Sequence, residues 1–258
     1  MLSRQELKNR FDSISRSRSI VSSVECLSLH KVQSQINRME QSRQYVKALR
    51  DIFFQQKINR TPSQSDKIYL LVFGNDHGMC SKLEKSIFAG LLNCAKVHKG
   101  KELSILVAGK RFYLKCCKAF NKVNINFAYY DPNDLTALGK RWISGEVSDI
   151  YVLYPQFVNI YSFQLKTESV FDASHCLDKL ENLSYFPVDK EDLLQLYLRA
   201  IVENARLENS LSSNALRGIR MKEAKECADN IINKCKIEMN IQRQGSITKE
   251  LNELMIGN

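Results

Sequence analysis

The chain has 258 residues, 44% apolar and 26% charged, with 38 Lys and Arg against 28 Asp and Glu and a net charge of +10. That length leaves room for one or two domains with a sizeable core. No stretch approaches the roughly 18 uncharged apolar residues of a membrane helix, so no direct membrane span is expected. The opening MLSRQELKNRF has no apolar signal region, and Glu6 and Asp12 run against a transit peptide, so no targeting segment is expected. The eight cysteines include no C-x-x-C pair and read as reduced, mostly buried thiols. His77 and Cys80 lie three apart, but no second pair completes a tetrahedral site. A turn histidine and a core cysteine are expected there, with no metal and no cofactor.

Residues 2–56 contain neither Pro nor Gly, which predicts one helix of about 80 Å at 1.5 Å per residue. Leu7, Ile14 and Val21 recur every seventh residue, as do Val32, Met39, Val46 and Phe53. A sevenfold repeat marks a coiled-coil seam, and the offset between the runs, from Val21 to Val32, is a stutter that locally unwinds it. Ten Lys or Arg against five Asp or Glu are spread along residues 1–56. Such dispersal suits a charged helix facing an acidic partner better than a patch that reads nucleic acid.

Thr61-Pro62-Ser63 ends this zone. Then come predicted strands at 68–73, 103–108, 125–130 and 150–154, separated by helical patterns at 83–97, 111–120 and 135–144. Alternating strand and helix implies a mainly parallel sheet covered on both faces. Residues 164–171 read as a fifth, antiparallel edge strand, because too few residues precede them for a crossover helix. From Asp189 to Met255 there is again no Pro, and only Gly218 and Gly245. Asp189 can cap a second long helix. Leu194, Leu198, Ile201 and Ala205 share a face, continued by Ala224, Ala228, Ile231 and Cys235. Isolated helices are marginal in water, so the two terminal helices should wind around each other, antiparallel. The expected fold is α/β: a long antiparallel coiled coil, 1–58 with 188–258, around an inserted Rossmann-like domain of about five strands at 66–175.

Nothing in the pattern demands catalysis. The turn Gly74-Asn75-Asp76-His77-Gly78 sits where doubly wound sheets bind ligands, but it lacks both glycine-rich phosphate signatures. A plain turn with Asp76 accepting backbone N–H bonds is expected. Asp76 and His77 have no fitting nucleophile nearby for acid–base work. Gly109-Lys110-Arg111 reads as a helix start with solvated charges. Aromatics are not interleaved with the basic residues as a stacking platform requires. These features favour an interaction protein; composition alone also leaves a basic coiled-coil scaffold or nucleic-acid binder.

The C-terminal run Arg243-Gln244-Gly245-Ser246-Ile247-Thr248-Lys249-Glu250-Leu251-Asn252-Glu253-Leu254 resembles the signature of the F-type ATP synthase gamma-subunit family, close to RQAAITQELTEI. Arg220-Met221-Lys222-Glu223-Ala224 with Ala228-Asp229-Asn230 is similar to its R-M-x-A-M-x-x-A-x-x-N-A stretch. Residues 20–31, IVSSVECLSLHK, stand where the family has a segment like ITKAMEMVAASK. Gln41–Tyr45 resembles A-S-R-P-Y, and Asn75–Cys80 resembles S-D-R-G-L-C. Gly145–Asp149 and Tyr154–Phe157 resemble G-E-V-D and Y-N-K-F. These matches run in order along essentially the whole chain.

The resemblance implies a central rotor shaft with no catalytic site of its own, turning inside a ring of three alpha and three beta subunits. It implies that Arg243 and Gln244, with Thr248 and Glu250 nearby, meet an acidic catch loop of beta, and that Val24 and Lys31 are swept by the beta lever. Ile14, Val21, Val32, Met39, Ile231 and Cys235 are then coiled-coil seam. Further implied partners are an epsilon-type subunit and a membrane ring of small c subunits, with no nucleic acid. The implied location is peripheral, on the cytoplasmic face of a bacterial inner membrane. The chain departs from the pattern at Ser81-Lys82-Leu83-Glu84, where the family has Gly-Gly-Leu-Asn. Cys26-Leu27-Ser28-Leu29 also replaces Met-Val-Ala-Ala. At the foot, around Tyr185 and Phe186, Phe186 replaces a usual Glu. That altered foot keeps open a divergent F-type-like ATPase used for ion export or force generation.

Overall fold

The computed structural model describes residues 3–56, 65–76, 78–120, 126–172 and 189–256. His77, Cys176, Tyr185 and Phe186 lie outside them. The elements run α1 (Arg4–Gln55), β1 (Lys67–Phe73), α2 (Ser81–Val97), β2 (Glu102–Ala108), α3 (Lys110–Ala119), β3 (Asn126–Tyr129), α4 (Asp134–Ile143), β4 (Asp149–Asn159), β5 (Ser162–Ser169) and α5 (Lys190–Ile256). The fold is the expected α/β arrangement, with a five-stranded sheet between two long terminal helices. The chain divides into two compact units, residues 3–30 with 217–256, and residues 31–216.

Both long helices begin on side-chain caps. The Ser3 hydroxyl accepts from Glu6 N (3.2 Å), and the Glu6 carboxylate accepts from Ser3 N (2.7 Å). This reciprocal box satisfies two otherwise orphaned donors. Asp189 Oδ1 accepts from Glu191 N at 3.1 Å, which satisfies a donor in the first turn of α5.

In the 31–216 unit the strands lie in the order β3-β2-β1-β4-β5. The first four are mutually parallel, and β5 is antiparallel at the edge. Alternation along β1 builds two cores. Leu70 and Val72 face Leu83, Ile87 and Leu91 of α2 and Phe112 and Cys116 of α3. Tyr69, Leu71 and Phe73 face the other way, onto Leu135 and Trp142 of α4, Val46 and Phe53 of α1, and Leu194, Tyr197 and Ile201 of α5. The inner stretches of the long helices are therefore one covering layer of the sheet. Their anchor is aromatic: Phe53 stacks on Tyr197 at 4.7 Å, and the Tyr197 hydroxyl donates to Val170 O at 2.9 Å.

β4 runs five residues beyond the strand expected at 150–154. Pro155 has no N–H to donate to a ladder and should end a strand flanked on both sides. Here β1 pairs with β4 only as far as Leu153, and from Tyr154 onward only β5 lies alongside. Pro155 is tolerated because that stretch has one neighbour.

The end of β4 is held by a buried ion pair. Arg43 of α1 donates through Nε and Nη2 to the two carboxylate oxygens of Glu208 on α5, at 2.5 and 2.9 Å. Its Nη2 also donates to Phe157 O at 2.7 Å, and Glu208 accepts from Phe157 N at 2.7 Å. The Glu208 side chain is 1% exposed and that of Arg43 is 35% exposed. Removing one partner of a buried pair costs about 3–5 kcal/mol, because it strands the other charge. Arg43→Ala strands the fully buried partner and should reach that range in urea unfolding. Glu208→Gln, which leaves the water-accessible Arg43, should cost clearly less. Equal losses would contradict the assigned burial.

Candidate functional site

In the unit formed by residues 3–30 and 217–256, the two helices run antiparallel. Arg18 Nε meets Asp229 Oδ1 at 2.5 Å, and Lys225 Nζ meets Glu25 Oε2 at 3.1 Å. The Lys236 ammonium lies 6.0 Å from the centre of the Phe11 ring. As positions on α1 fall, those on α5 rise. On the α5 side Gly218, Met221, Ile232 and Cys235 are buried, and Ile219, Ala224, Lys225, Ala228, Asp229, Ile231, Met239 and Gln242 are half-buried. The spacings of three and four among them are those of a coiled-coil seam. The helices approach closely at Gly218, where a Cβ would sit 2.9 Å from a Leu29 methyl and 3.8 Å from Ser28 Cβ.

The seam stops at Gln242 for a geometric reason. Carrying the register outward from Arg18 and Asp229 brings Arg4, the first residue of α1, level with Arg243. The remainder of α5 runs past every described residue of α1. Residues 243–255 are all exposed, including Ile247, Leu251, Leu254 and Met255 at 48–80%. The Thr248 hydroxyl donates back to Gln244 O at 2.9 Å, and Lys249 pairs loosely with Glu253 at 3.7 Å. This overhang presents cations, amides and apolar side chains on one helix.

A family model for ATP synthase matches residues 3–258. The chain belongs to that family. Its relatives place it on the gamma branch: the ATP synthase gamma chain of Glaesserella parasuis is 28% identical over 284 residues, covering 100% of this chain and 99% of the relative. That of Pasteurella multocida is 26% identical over 290 residues, with the same coverage. Among solved structures, a chain of the Euglena gracilis mitochondrial ATP synthase OSCP/F1/c-ring assembly aligns with a TM-score of 0.63 at 14% identity, covering 98% of this chain and 92% of that one. A chain from the Tetrahymena thermophila central stalk and c-ring aligns at 0.56 and 17%, covering 80% and 99%. The likeness to these structures is one of fold. The chain's role is the family's, that of a central rotor shaft.

Within this gamma-type shaft, Arg243, Gln244, Thr248 and Glu250 fall together on the exposed overhang. Val24 is half-buried on α1, and Lys31 is exposed. Val32, Met39 and Cys235 are 2–3% exposed, while Ile14, Val21 and Ile231 are half-buried, with Ile232 the more sheltered neighbour at 8%. Asp76 accepts a backbone N–H from Arg111 at the start of α3. Cys80 is buried, its thiol 3.4 Å from Ser213 O. Among the described cysteines, Cys26 and Cys227 are exposed. No described helix is long and apolar enough to cross a membrane.

Sequence reasoning missed two features of this shaft. The capping box was legible as Ser3-x-x-Glu6. Ser28 continues the repeat of Leu7, Ile14 and Val21 by one more heptad and is 3% exposed, but its polarity hid it.

The Arg18–Asp229 pair sets a pH dependence. Its hydrogen bond from Arg18 holds the Asp229 carboxyl below the ordinary carboxylate value. A group whose folded value is lowered stabilises above its unfolded pKa, and that contribution fades as pH falls through the folded value. Asp229→Asn should therefore lower thermal stability near neutrality and flatten its acid limb, and the two proteins should converge at the acid end. The effect should shrink in high salt, since both side chains are 41% exposed. Thermal melts across pH at two ionic strengths check this.

Proposed function

We propose that this chain is the non-catalytic shaft that couples rotation to the nucleotide states of the beta subunits in an F-type complex. The observation that carries the reading is the bare end of α5, residues 243–255, which runs beyond its coiled-coil partner while keeping apolar side chains exposed. Such a surface calls for a surrounding sleeve. Contact between one asymmetric shaft and three equivalent subunits favours a different conformation in each, a population shift driven by differential contact.

In this reading Arg243 and Gln244, with Thr248 and Glu250, engage an acidic loop of beta, where a planar guanidinium makes charge-assisted bonds. Val24 and Lys31 face the moving beta lever. Segments 1–58 and 188–258 are the shaft, and 66–175 the inserted domain. The partners are the alpha and beta subunits, an epsilon-type subunit and a membrane c-ring, with the complex peripheral on the cytoplasmic face of a bacterial inner membrane. The departure at Phe186 from the family's usual Glu supports a second reading, a related ATPase that exports ions or generates force.

Purification of the chain with its neighbours separates the readings: alpha and beta subunits identify the shaft, and a ring of small apolar subunits identifies coupling to the membrane. Replacing Arg243 and Gln244 together by Ala should lower coupled ATP hydrolysis several-fold while the isolated chain melts normally. Unchanged turnover and assembly would remove these residues from the contact.

A further inference from the structure

The positive charge of the chain is concentrated in one stretch. Residues 81–120 hold nine Lys or Arg against two Glu, a surplus of seven out of the chain's ten. The stretch carries α2 and α3, which pack on one face of the sheet within the 31–216 unit. The two helices are neighbours: Phe88 of α2 meets Phe112 of α3 at 4.9 Å between ring centres, and Lys115 Nζ donates to Glu84 Oε2 at 2.5 Å. From the outer face of this helix pair we propose that the chain docks on an anionic phospholipid surface.

Helical periodicity sorts the charges onto that face. On α2 the buried positions are Leu83, Ile87, Leu91 and Cys94. Lys82, Lys85, Ala89, Leu92 and Lys96 are exposed and spaced three, four, three and four apart. At about 100° per residue they form a stripe opposite the buried one. On α3, Phe112 and Cys116 are buried, while Lys110, Arg111, Leu114 and Lys118 are exposed on the opposite side. Both helices sit on the same sheet face, so both stripes point the same way, away from the sheet. The two Glu of the stretch are spent on Lys67 and Lys115. They leave the six outward cations without a carboxylate from their own stretch.

The residue types select the occupant. Five of the six outward cations are Lys. Protein interfaces favour Arg and aromatic residues and are depleted in Lys. Nucleic-acid bases are read by Arg forks or stacked on aromatic rings, and no aromatic residue of α2 or α3 is exposed. Lys is a hydrated point charge on a flexible stem, which suits a diffuse field that asks for no fixed geometry. An anionic leaflet supplies that field and attracts clusters of roughly four to eight Lys or Arg on one helical surface. Leu92 and Leu114, 47% and 53% exposed, stand within the two stripes. Their apolar ends can enter the headgroup layer beneath the charges.

The inference does not depend on the shaft reading, and the full chain without other subunits tests it. Its sedimentation with vesicles of phosphatidylcholine alone is compared with that of vesicles mixing in phosphatidylserine. Binding to the mixed vesicles is expected, weakening as salt rises, with none to the neutral ones. Lys82→Gln, Lys85→Gln and Lys96→Gln together should weaken it about a hundredfold, since each Lys at an anionic surface is worth about fivefold. Gln keeps the helix propensity and all three sites are exposed, so the melting temperature should match that of the wild type. Lys8→Gln, Lys222→Gln and Lys234→Gln remove the same charge from exposed positions outside this unit and should leave binding close to wild type. Leu92→Ser with Leu114→Ser should lower the part of the binding that survives high salt. Equal binding to neutral vesicles, equal losses in the two triple variants, or capture of RNA or a poly-glutamate peptide in preference to the mixed vesicles would each overturn the proposal.

Discussion

Glu208 is a carboxylate on a long helix with almost no access to water, and the inner unit is organised around satisfying it. Burying a charge is expensive unless paired and hydrogen-bonded. The partners come from two other elements: Arg43 from α1, through two nitrogens, and Phe157 N from the end of β4. Arg43 then closes the circuit on Phe157 O. The geometry admits one alignment of α1 against α5, and one position of the β4 end against both. Apolar packing could slide by a turn at modest cost, but this network cannot, because a slip would leave a buried carboxylate bare. The Phe53–Tyr197 stack and the Tyr197 bond to Val170 O lie on the same side of the sheet and depend on the same alignment.

Features with a short period along the chain were legible in the sequence. The heptads of α1, the alternating strands and helices, and the antiparallel β5 all follow from local pattern. Features joining distant residues were not. Arg43 and Glu208 are 165 positions apart, and nothing near Glu208 marks it as buried. The stutter shows the limit from the other side. The eleven-residue offset between Val21 and Val32, with its four-residue insertion, was visible, but that Ser28 holds the intervening seam position was not, since seam positions are sought among apolar residues. Ser28 is admitted because Gly218 stands opposite, so a small polar side chain fills the narrow gap. The division between the two units falls inside this step, at His30 and Lys31, and on α5 beside Gly218. Beyond this step α1 keeps α5 as a partner and adds β4, with Val32 and Met39 packed against Leu211, Ala215 and Phe157.

The role of the long helices also differs from what periodicity suggests. Two helices with matching stripes read as partners for each other along their whole length. In the 31–216 unit, residues 46–53 of α1 and 193–205 of α5 still touch each other, with Phe53 stacked on Tyr197, and also cover one face of the sheet. The sheet has helices on both faces, as a parallel sheet requires, but two of those helices are borrowed. This explains why three helices among the described residues of the inserted segment, α2, α3 and α4, suffice for a five-stranded sheet.

The overhang of α5 is the least self-sufficient part of the shaft. A helix this far from any seam gains little from packing, and isolated helices are marginal in water. Its local chemistry does not compensate. Gly245 costs about 1 kcal/mol relative to Ala in a helix, and a Cβ there would meet nothing within 4 Å. Ser246 and Thr248 both turn their hydroxyls back to the carbonyls four residues earlier, a habit that slightly weakens and bends helices. Meanwhile Leu251, Leu254 and Met255 stay 56–80% exposed. Close packing does not dictate the glycine, and solvation does not favour the apolar side chains. Both make sense if the helix end is completed by a surface outside the chain, with Gly245 giving that surface room to approach the backbone.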